Sequence, residues 1–152
     1  MLKSMNIRRP FLLLCILTGL SAFGPSAADV QRDVQAVLEM QQEAWNRGDL
    51  NGFLEGYEKS PDITFVGKTV ARGFEGLEKR YRLTYGNAGK MGKLTFSDVE
   101  VKPLGEEHAF AIGRFELQRS EAGGGNAAGR FTIVLRKTAK GWRIVHDHTS
   151  AD

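Results

Sequence analysis

The seven residues AWNRGDL (Ala44–Leu50) mark the point at which one helix ends and another begins. Gly48 follows Arg47 and is suited to end a helix, because glycine adopts the left-handed conformation of a helix C-terminus without steric cost. The side chain of Asp49 can accept hydrogen bonds from the unpaired N–H groups at the start of a new helix. The stretch therefore predicts two helices joined by a tight turn.

On both sides of this turn, apolar residues recur at spacings of three and four, the pattern of one face of an amphipathic helix. We predict that Asp29 caps the first helix and that Ser60–Asp62 ends the second. The residues expected on the two buried faces are Val30, Val34, Val37, Leu38, Gln41, Ala44 and Trp45, then Leu50, Phe53, Leu54 and Tyr57. Trp45 and Tyr57 are thus expected at the ends of the two helices.

The middle of the chain predicts a short hairpin and a third helix. Ile63–Val66 and Lys68–Arg72 are expected as two short strands around Gly67. The helix is expected to open at Gly73, and its buried side is marked by Phe74, Leu77, Tyr81 and Tyr85. Asn87–Gly92 is predicted to be a glycine-rich loop.

Four longer strand-like runs complete the chain, at Lys93–Leu104, His108–Arg119, Arg130–Lys137 and Trp142–Ser150. The connections between them are short enough for an antiparallel meander. Helices collected ahead of an antiparallel sheet are typical of the α+β class. A strongly twisted sheet that folds over three helices leaves a concave space between the two layers.

The start of the chain has the layout of a secretory signal peptide. Lys3, Arg8 and Arg9 precede the apolar run Phe11–Leu20, and small residues follow as far as Ala28. We predict cleavage after Ala28 and export across the inner membrane to the periplasm. Once the signal is removed, no membrane span is expected.

Residues 29–152 are then predicted to form a single domain. Three of the chain's 21 basic residues and none of its 18 acidic residues precede Asp29, so the domain has no formal net charge. Nucleic-acid binding needs a basic face, and we therefore expect no nucleic-acid partner. The only cysteine, Cys15, lies in the apolar run, so neither a disulfide nor thiolate chemistry is expected in the domain.

The chain resembles the NTF2-like superfamily, and more narrowly its SnoaL-like or DUF4440-type branch. The resemblance is carried by Ala44–Leu50 with Phe53 and Tyr57, by Pro61–Phe65 with Arg72–Gly73, and by Gly141–Ser150. It implies a cone-shaped, curved antiparallel sheet wrapped over three helices of the N-terminal half, with a pocket at one open end. Relatives often dimerise through the sheet, and they include steroid isomerases, dehydratases, epoxide hydrolases, polyketide cyclases and association domains.

The last strand places His146, Asp147 and His148 in consecutive positions. Alternation along a strand puts both histidines on the face of Trp142 and Ile144, with Asp147 on the opposite face. Two histidines on one face can bind a metal ion, but Asp147 could be the third ligand only across a bulge. We expect no metal site and no cofactor, and favour histidines at a sheet surface or dimer interface.

His148 is nevertheless the weak candidate for a catalytic acid–base group, because relatives in this fold often place a pocket residue on the last strand. Trp45, Tyr57 and Tyr81 are predicted to line the pocket together with His148. Core packing explains Trp45 equally well. The tyrosine hydroxyls need a partner if they are buried, and a bound ligand or water is the partner expected.

Arg114 lies in a strand on which Phe110, Ile112 and Glu116 share its face, while Ala111 and Gly113 lie on the opposite face. The small residues would let helices or a ligand approach closely. For Arg114 we favour a dimer interface over a ligand clamp, and pairing with Glu116 is an alternative.

Two functions follow as expectations. The first is an exported protein that binds an unknown small, partly apolar molecule, with proton transfer of the isomerase, dehydratase or cyclase type as its reaction. The second is a non-catalytic association domain that forms a homodimer through the sheet. Polar aromatic residues on the helices favour the first, and the mixed face of Phe110, Ile112, Arg114 and Glu116 motivates the second.

Overall fold

The computed structural model describes Gly24 and residues 26–152. Most of the predicted signal peptide, with Cys15, lies outside the described residues. Within them, none of the helices has both the length and the apolar character needed to cross a membrane.

Helices and strands follow the predicted order. The helices are α1 (Ala27–Asn46), α2 (Leu50–Leu54), α3 (Gly73–Tyr85) and the one-turn α4 (Ala88–Met91). The strands are β1 (Thr64–Val66), β2 (Val70–Arg72), β3 (Lys93–Leu104), β4 (His108–Gln118), β5 (Ala127–Thr138) and β6 (Gly141–Ala151). A short 3₁₀ turn at Glu121–Gly123 lies in the connection between β4 and β5.

The strands form one six-stranded, curved and unclosed sheet in the order β2-β1-β6-β5-β4-β3. Strands β3 to β6 make the predicted antiparallel meander, and β1 and β2 make the predicted hairpin. Strand β1 runs parallel to β6, so the hairpin extends the sheet beyond the chain's last strand. The α+β class and the sheet wrapped over N-terminal helices are therefore confirmed.

The turn between α1 and α2 forms as the sequence indicates. Gly48 has a φ of +75°, and the Asp49 carboxylate accepts a hydrogen bond from the Gly52 N–H at 2.8 Å. The start of α1 differs from the prediction, because the capping residue is Ser26. Asp29 is the third residue of the helix and completes a capping box with Ser26.

Polar side chains of α1 cover the free edge of the sheet. Among the described strands, β3 has no neighbour on that side. The side-chain amide of Asn46 accepts a hydrogen bond from the Leu94 N–H at 2.7 Å and donates one to the Leu94 carbonyl at 2.9 Å. One turn earlier in α1, the side-chain amide oxygen of Gln42 accepts a hydrogen bond from the Phe96 N–H at 2.7 Å. These contacts supply partners to backbone groups that an open edge leaves unpaired.

Two local predictions are wrong. Asn87–Gly92 is mostly helical, because the Asn87 side chain caps α4 by accepting from the Lys90 N–H at 3.0 Å. Tyr57 does not end the second helix: α2 stops at Leu54, and Tyr57 makes an isolated bridge to Ile144 of β6. Tyr57 is consequently fixed against the sheet rather than on a helix.

The two faces of β4 are as the sequence predicts, since Ala109, Ala111, Gly113 and Leu117 are buried while Ile112 is exposed. The space beside Gly113 is occupied by the Phe131 ring, its register partner on β5, and a Cβ atom at this position would overlap that ring. The small residue therefore accommodates a core aromatic side chain rather than a helix or a ligand.

Candidate functional site

A β-bulge in β6 determines which side chains face the interior. Ile144 pairs with Leu135 of β5, but the next pair is His146 with Val134, so Val145 is an extra residue. The bulge reverses the alternation after Ile144. The prediction that both histidines share a face with Trp142 and Ile144 is therefore wrong.

Beyond the bulge, both histidines lie on the outer side of the sheet. His146 is half-buried, and its Nδ1 atom is 2.6 Å from the Thr64 hydroxyl. His148 is at the rim of the cavity, but it is exposed and pairs with Thr132, whose own partner on β4 is Ile112. The side chain turned inward is that of Asp147, which is only 5% exposed.

A cavity of about 450 Å³ lies between the helices and the concave face of the sheet. Its wall is mainly aromatic and aliphatic, as in most pockets for small organic molecules. Its apolar lining includes Leu38, Trp45, Phe53, Phe65, Leu94, Phe96, Phe115, Leu117, Phe131, Ile133 and Ile144. The polar side chains on the wall include Gln41, Tyr57, Lys68, Arg80, Tyr81, Tyr85, Asp147 and Thr149.

Three buried side chains form a hydrogen-bonded chain on this wall. The Tyr57 hydroxyl lies 2.7 Å from Oδ2 of Asp147 and 3.2 Å from the Tyr81 hydroxyl. The Thr149 hydroxyl donates to the other carboxylate oxygen, Oδ1, at 2.7 Å. When Asp147 is ionised, Tyr57 donates its single proton to the carboxylate, and Tyr81 must then donate to Tyr57.

Burial raises the pKa of Asp147 above its ordinary value, because the charged form loses its hydration. The hydrogen bonds from Tyr57 and Thr149 act in the opposite direction without reversing the shift. Burial, reinforced by the charge of Asp147, also raises the pKa of both Tyr57 and Tyr81. Both tyrosines are therefore neutral hydrogen-bond donors at neutral pH, and Asp147 is the group whose proton is most easily gained or lost.

Three of the four predicted pocket residues lie on the cavity wall at its interior. Trp45 is 3% exposed, and its Nε1 donates to the Met91 carbonyl at 2.9 Å, so it serves the core as well. Tyr57 and Tyr81 are buried, and their hydroxyl groups bond to protein groups rather than to the expected ligand or water: Tyr57 to the Asp147 carboxylate, and Tyr81 to the Tyr57 hydroxyl. Ligand binding by Trp45, Tyr57, Tyr81 and His148 stays a prediction.

Sequence reasoning missed Asp147 as an interior group. Asp147 belongs to the sequence cluster with His146 and His148, but strict alternation places it on the face opposite Trp142 and Ile144. The residues at the bulge, Ile144, Val145 and His146, include no turn-former that would indicate it, and only the pairing with β5 reveals it.

Arg114, the arginine considered from the sequence, is outside the cavity wall, and so is Arg72. Arg114 lies 3.5 Å from Glu116 and 3.4 Å from the Asp152 carboxylate, in keeping with the pairing alternative. Arg72 is exposed at the end of β2. In the described part of the chain, no group of three His, Cys, Asp or Glu side chains is placed to hold a metal ion.

Comparison with known proteins places these observations in a family. The SnoaL-like domain model matches residues 34–151, which is most of the chain and includes every element from within α1 to the end of β6. No curated protein matches the sequence.

Solved structures of the same fold are numerous. An NTF-2 like protein of unknown function from Shewanella oneidensis MR-1 is 29% identical, with a TM-score of 0.73 over 80% of this chain and 98% of that one. A ketosteroid isomerase-like protein from Erwinia carotovora atroseptica is 22% identical, with a TM-score of 0.64 over 79% and 94%. A protein with a cystatin-like fold from Nostoc punctiforme is 14% identical, with a TM-score of 0.66 over 86% and 96%. The last two likenesses concern the fold alone.

Proposed function

The chain belongs to the SnoaL-like domain family, and from that premise we propose that it binds a small, largely apolar molecule in the cavity and exchanges a proton with it through Asp147. The observation that carries the proposal is a buried carboxyl group on an apolar cavity wall, joined to two tyrosine hydroxyls. Active sites use such surroundings to bring the pKa of a carboxyl group closer to neutral pH.

The hydrogen-bonded chain suggests how a proton would move. An ionised Asp147 takes a proton from a carbon next to a ligand carbonyl, and the electron pair of the broken C–H bond moves to the carbonyl oxygen. Protonated Asp147 then donates to Tyr57, Tyr57 donates to Tyr81, and the Tyr81 hydroxyl becomes a donor toward the cavity. That donor can stabilise the new oxyanion until Asp147 returns the proton to the same or a conjugated carbon.

Asp147 is preferred to His148 as the proton carrier. A general base must reach the proton that it abstracts, and the interior position of Asp147 meets this requirement. His148 is exposed on a strand position whose register partner, Thr132, is exposed as well. The ketosteroid isomerase-like neighbour agrees with proton transfer as the type of reaction, although its likeness alone does not assign one.

A neutral aromatic ketone, 1-tetralone, tests binding and proton transfer separately. Binding is followed by tryptophan fluorescence, because Trp45 lies on the cavity wall. Exchange of the protons next to the carbonyl with deuterium is followed by NMR. We expect saturable binding and exchange above the uncatalysed rate. Asp147→Asn should lower the exchange rate about 10²–10⁴-fold, the usual contribution of a general base, while Asp62→Asn, at an exposed aspartate, should leave it unchanged.

Each outcome has a clear meaning. Absence of binding would contradict the cavity as a ligand site. Binding without exchange, or exchange that is lost in His148→Gln and kept in Asp147→Asn, would contradict the role given to Asp147.

Export to the periplasm stays a proposal that rests on the N-terminal sequence. Expression of the full chain in a bacterial host, followed by N-terminal sequencing of the periplasmic fraction, would test it. A start at Asp29 is expected, and an intact N-terminus in the cytoplasmic fraction would contradict it.

A further inference from the structure

Arg80 lies on the cavity wall and forms no ion pair within the described part of the chain. It belongs to α3, it is half-buried, and its guanidinium carbon is 4.5 Å from the centre of the Phe65 ring. Among the described residues, it makes no hydrogen bond and no ion pair. Two positions later, Arg82 forms an ion pair with Glu78 of the same helix and donates a hydrogen bond to Asn51 of α2. The exposed arginine of α3 therefore has partners, unlike Arg80.

Gly67 lies close to both Arg80 and strand β6. A Cβ atom at Gly67 would lie 3.1 Å from the Phe65 ring, 3.4 Å from Nη2 of Arg80 and 3.7 Å from the Thr149 carbonyl oxygen. The first distance is tighter than most Cβ contacts, and the other two are ordinary van der Waals contacts. The Arg80 guanidinium and the Thr149 backbone of β6 are therefore both neighbours of Gly67.

A second cation lies at the same end of the cavity. Lys68 follows Gly67 in the β1–β2 turn, is exposed, and lines the cavity. No carboxylate among the described residues lies within ion-pair distance of it. Among the described residues, Asp147 is the only one with a carboxyl group on the wall, and that group is already hydrogen-bonded to Tyr57 and Thr149.

The cavity thus has two cations at one end and at most one negative charge. The half-buried Arg80 guanidinium has lost part of its hydration, and the Phe65 ring and the charge of Asp147, which lies beyond ion-pair distance, offset that loss only in part. A bound anion would supply the charge-assisted hydrogen bonds that the guanidinium lacks. Aromatic and aliphatic side chains cover most of the remaining wall, so the rest of the ligand is expected to be apolar.

We propose that the ligand carries a carboxylate or a similar anionic group. Arg80 binds this group through a bidentate pair of hydrogen bonds, and Lys68 attracts it to the cavity mouth. The inference rests on the proposed binding of a small molecule in this cavity and specifies its chemical class. Arginine suits this role because its planar fork of N–H donors matches a carboxylate. The apolar body of the molecule then extends toward Tyr81 and Asp147.

Two probes of nearly equal shape test the inference, 2-naphthylacetate and its uncharged analogue 2-naphthylacetamide. Isothermal titration calorimetry should give the unmodified protein a dissociation constant for the acetate at least about tenfold lower than that for the acetamide. The reason is that hydrogen bonds to charged groups are stronger than those between neutral groups. Arg80→Gln should weaken acetate binding by a similar factor without changing acetamide binding. Lys79→Gln removes the same charge from an exposed position of the same helix and should change neither.

Lys68→Gln provides a second variant at an exposed site, where folding is not at risk. It should weaken acetate binding less than Arg80→Gln does, and added salt should reduce the difference. Equal affinities for the two probes, or an unchanged acetate affinity in both Arg80→Gln and Lys68→Gln, would overturn the inference and leave cavity binding intact. Binding of neither probe to the unmodified protein would overturn the proposed function, and this inference with it.

Discussion

At the scale of single residues, the main feature is a carboxyl group that the fold buries at an energetic cost. Asp147 is 5% exposed, and its two oxygens are satisfied by Tyr57 and Thr149. Buried polar groups of this kind are normally hydrogen-bonded, and here no buried side-chain polar atom in the described part of the chain lacks a partner. A group held in this way is suited to take up and release a proton without unfolding its surroundings.

The raised pKa of Asp147 predicts a definite pH dependence of stability. Below the ordinary aspartate value of 3.8, both the folded and the unfolded chain hold the proton. As the pH rises above 3.8, the unfolded chain loses the proton first, so ionisation opposes folding until the pH passes the folded-state pKa. Asp147→Asn has no such loss. Its free energy of unfolding, relative to that of the unmodified protein, should therefore rise as the pH increases above about 4 and level off above the folded-state pKa of Asp147.

Urea unfolding at several pH values measures this difference, and the contributions of the other titratable groups largely cancel in it. A difference that is independent of pH would contradict the raised pKa. A difference that falls with rising pH would show that the hydrogen bonds from Tyr57 and Thr149 outweigh burial.

At the scale of elements, the C-terminal turn of α1 acts as a cover for the sheet edge. Asn46 makes two hydrogen bonds to the backbone of Leu94, and Gln42 makes one to Phe96. The stretch Ala44–Leu50 therefore does more than end one helix and start another. It places an amide group where β3 would otherwise expose unpaired backbone groups.

Replacing Asn46 by alanine should lower the free energy of unfolding by about 2 kcal/mol, since two hydrogen bonds of roughly 1 kcal/mol each are lost. Hydrogen exchange at the Leu94 amide should also become faster. Glu39→Ala, at an exposed position of the same helix, is the control and should have little effect. An Asn46→Ala protein as stable as the control would show that water satisfies the edge of β3.

At the scale of the whole molecule, the outer face of the sheet is the surface that an association function would use. Ile112 is 38% exposed there, in one row with Thr132 and His148. We expect this face to form a homodimer, as the resemblance to NTF2-like proteins implies. Sedimentation velocity at micromolar concentration should then show a dimer, and Ile112→Glu should dissociate it by burying a charge. Lys79→Glu, on α3, should stay dimeric, and a monomeric unmodified protein would contradict the expectation.

Most of the fold could be predicted from the sequence, because its determinants are local. Spacings of three and four gave the helices, alternation gave the two faces of β4, and Gly48 with Asp49 gave the turn between α1 and α2. The positions of Trp45 and Tyr81 on the cavity wall could be predicted for the same reason, because both lie on the buried faces of helices. The capping of α1 by Ser26 and of α4 by Asn87 was missed, since several residues near each helix start can cap equally well.

The sequence by itself determined the order and type of the elements and the family to which they belong. Only the tertiary structure decided that Asp147, and neither histidine beside it, faces the cavity. The physical reason is that β6 must pair with backbone on both of its sides. Ile144 exchanges hydrogen bonds of 2.8 and 2.9 Å with the backbone of Gly56 and Glu58. His146 pairs with Thr64 of β1 on one side and with Val134 of β5 on the other. One extra residue, Val145, reconciles the two registers, and it reverses every side chain that follows.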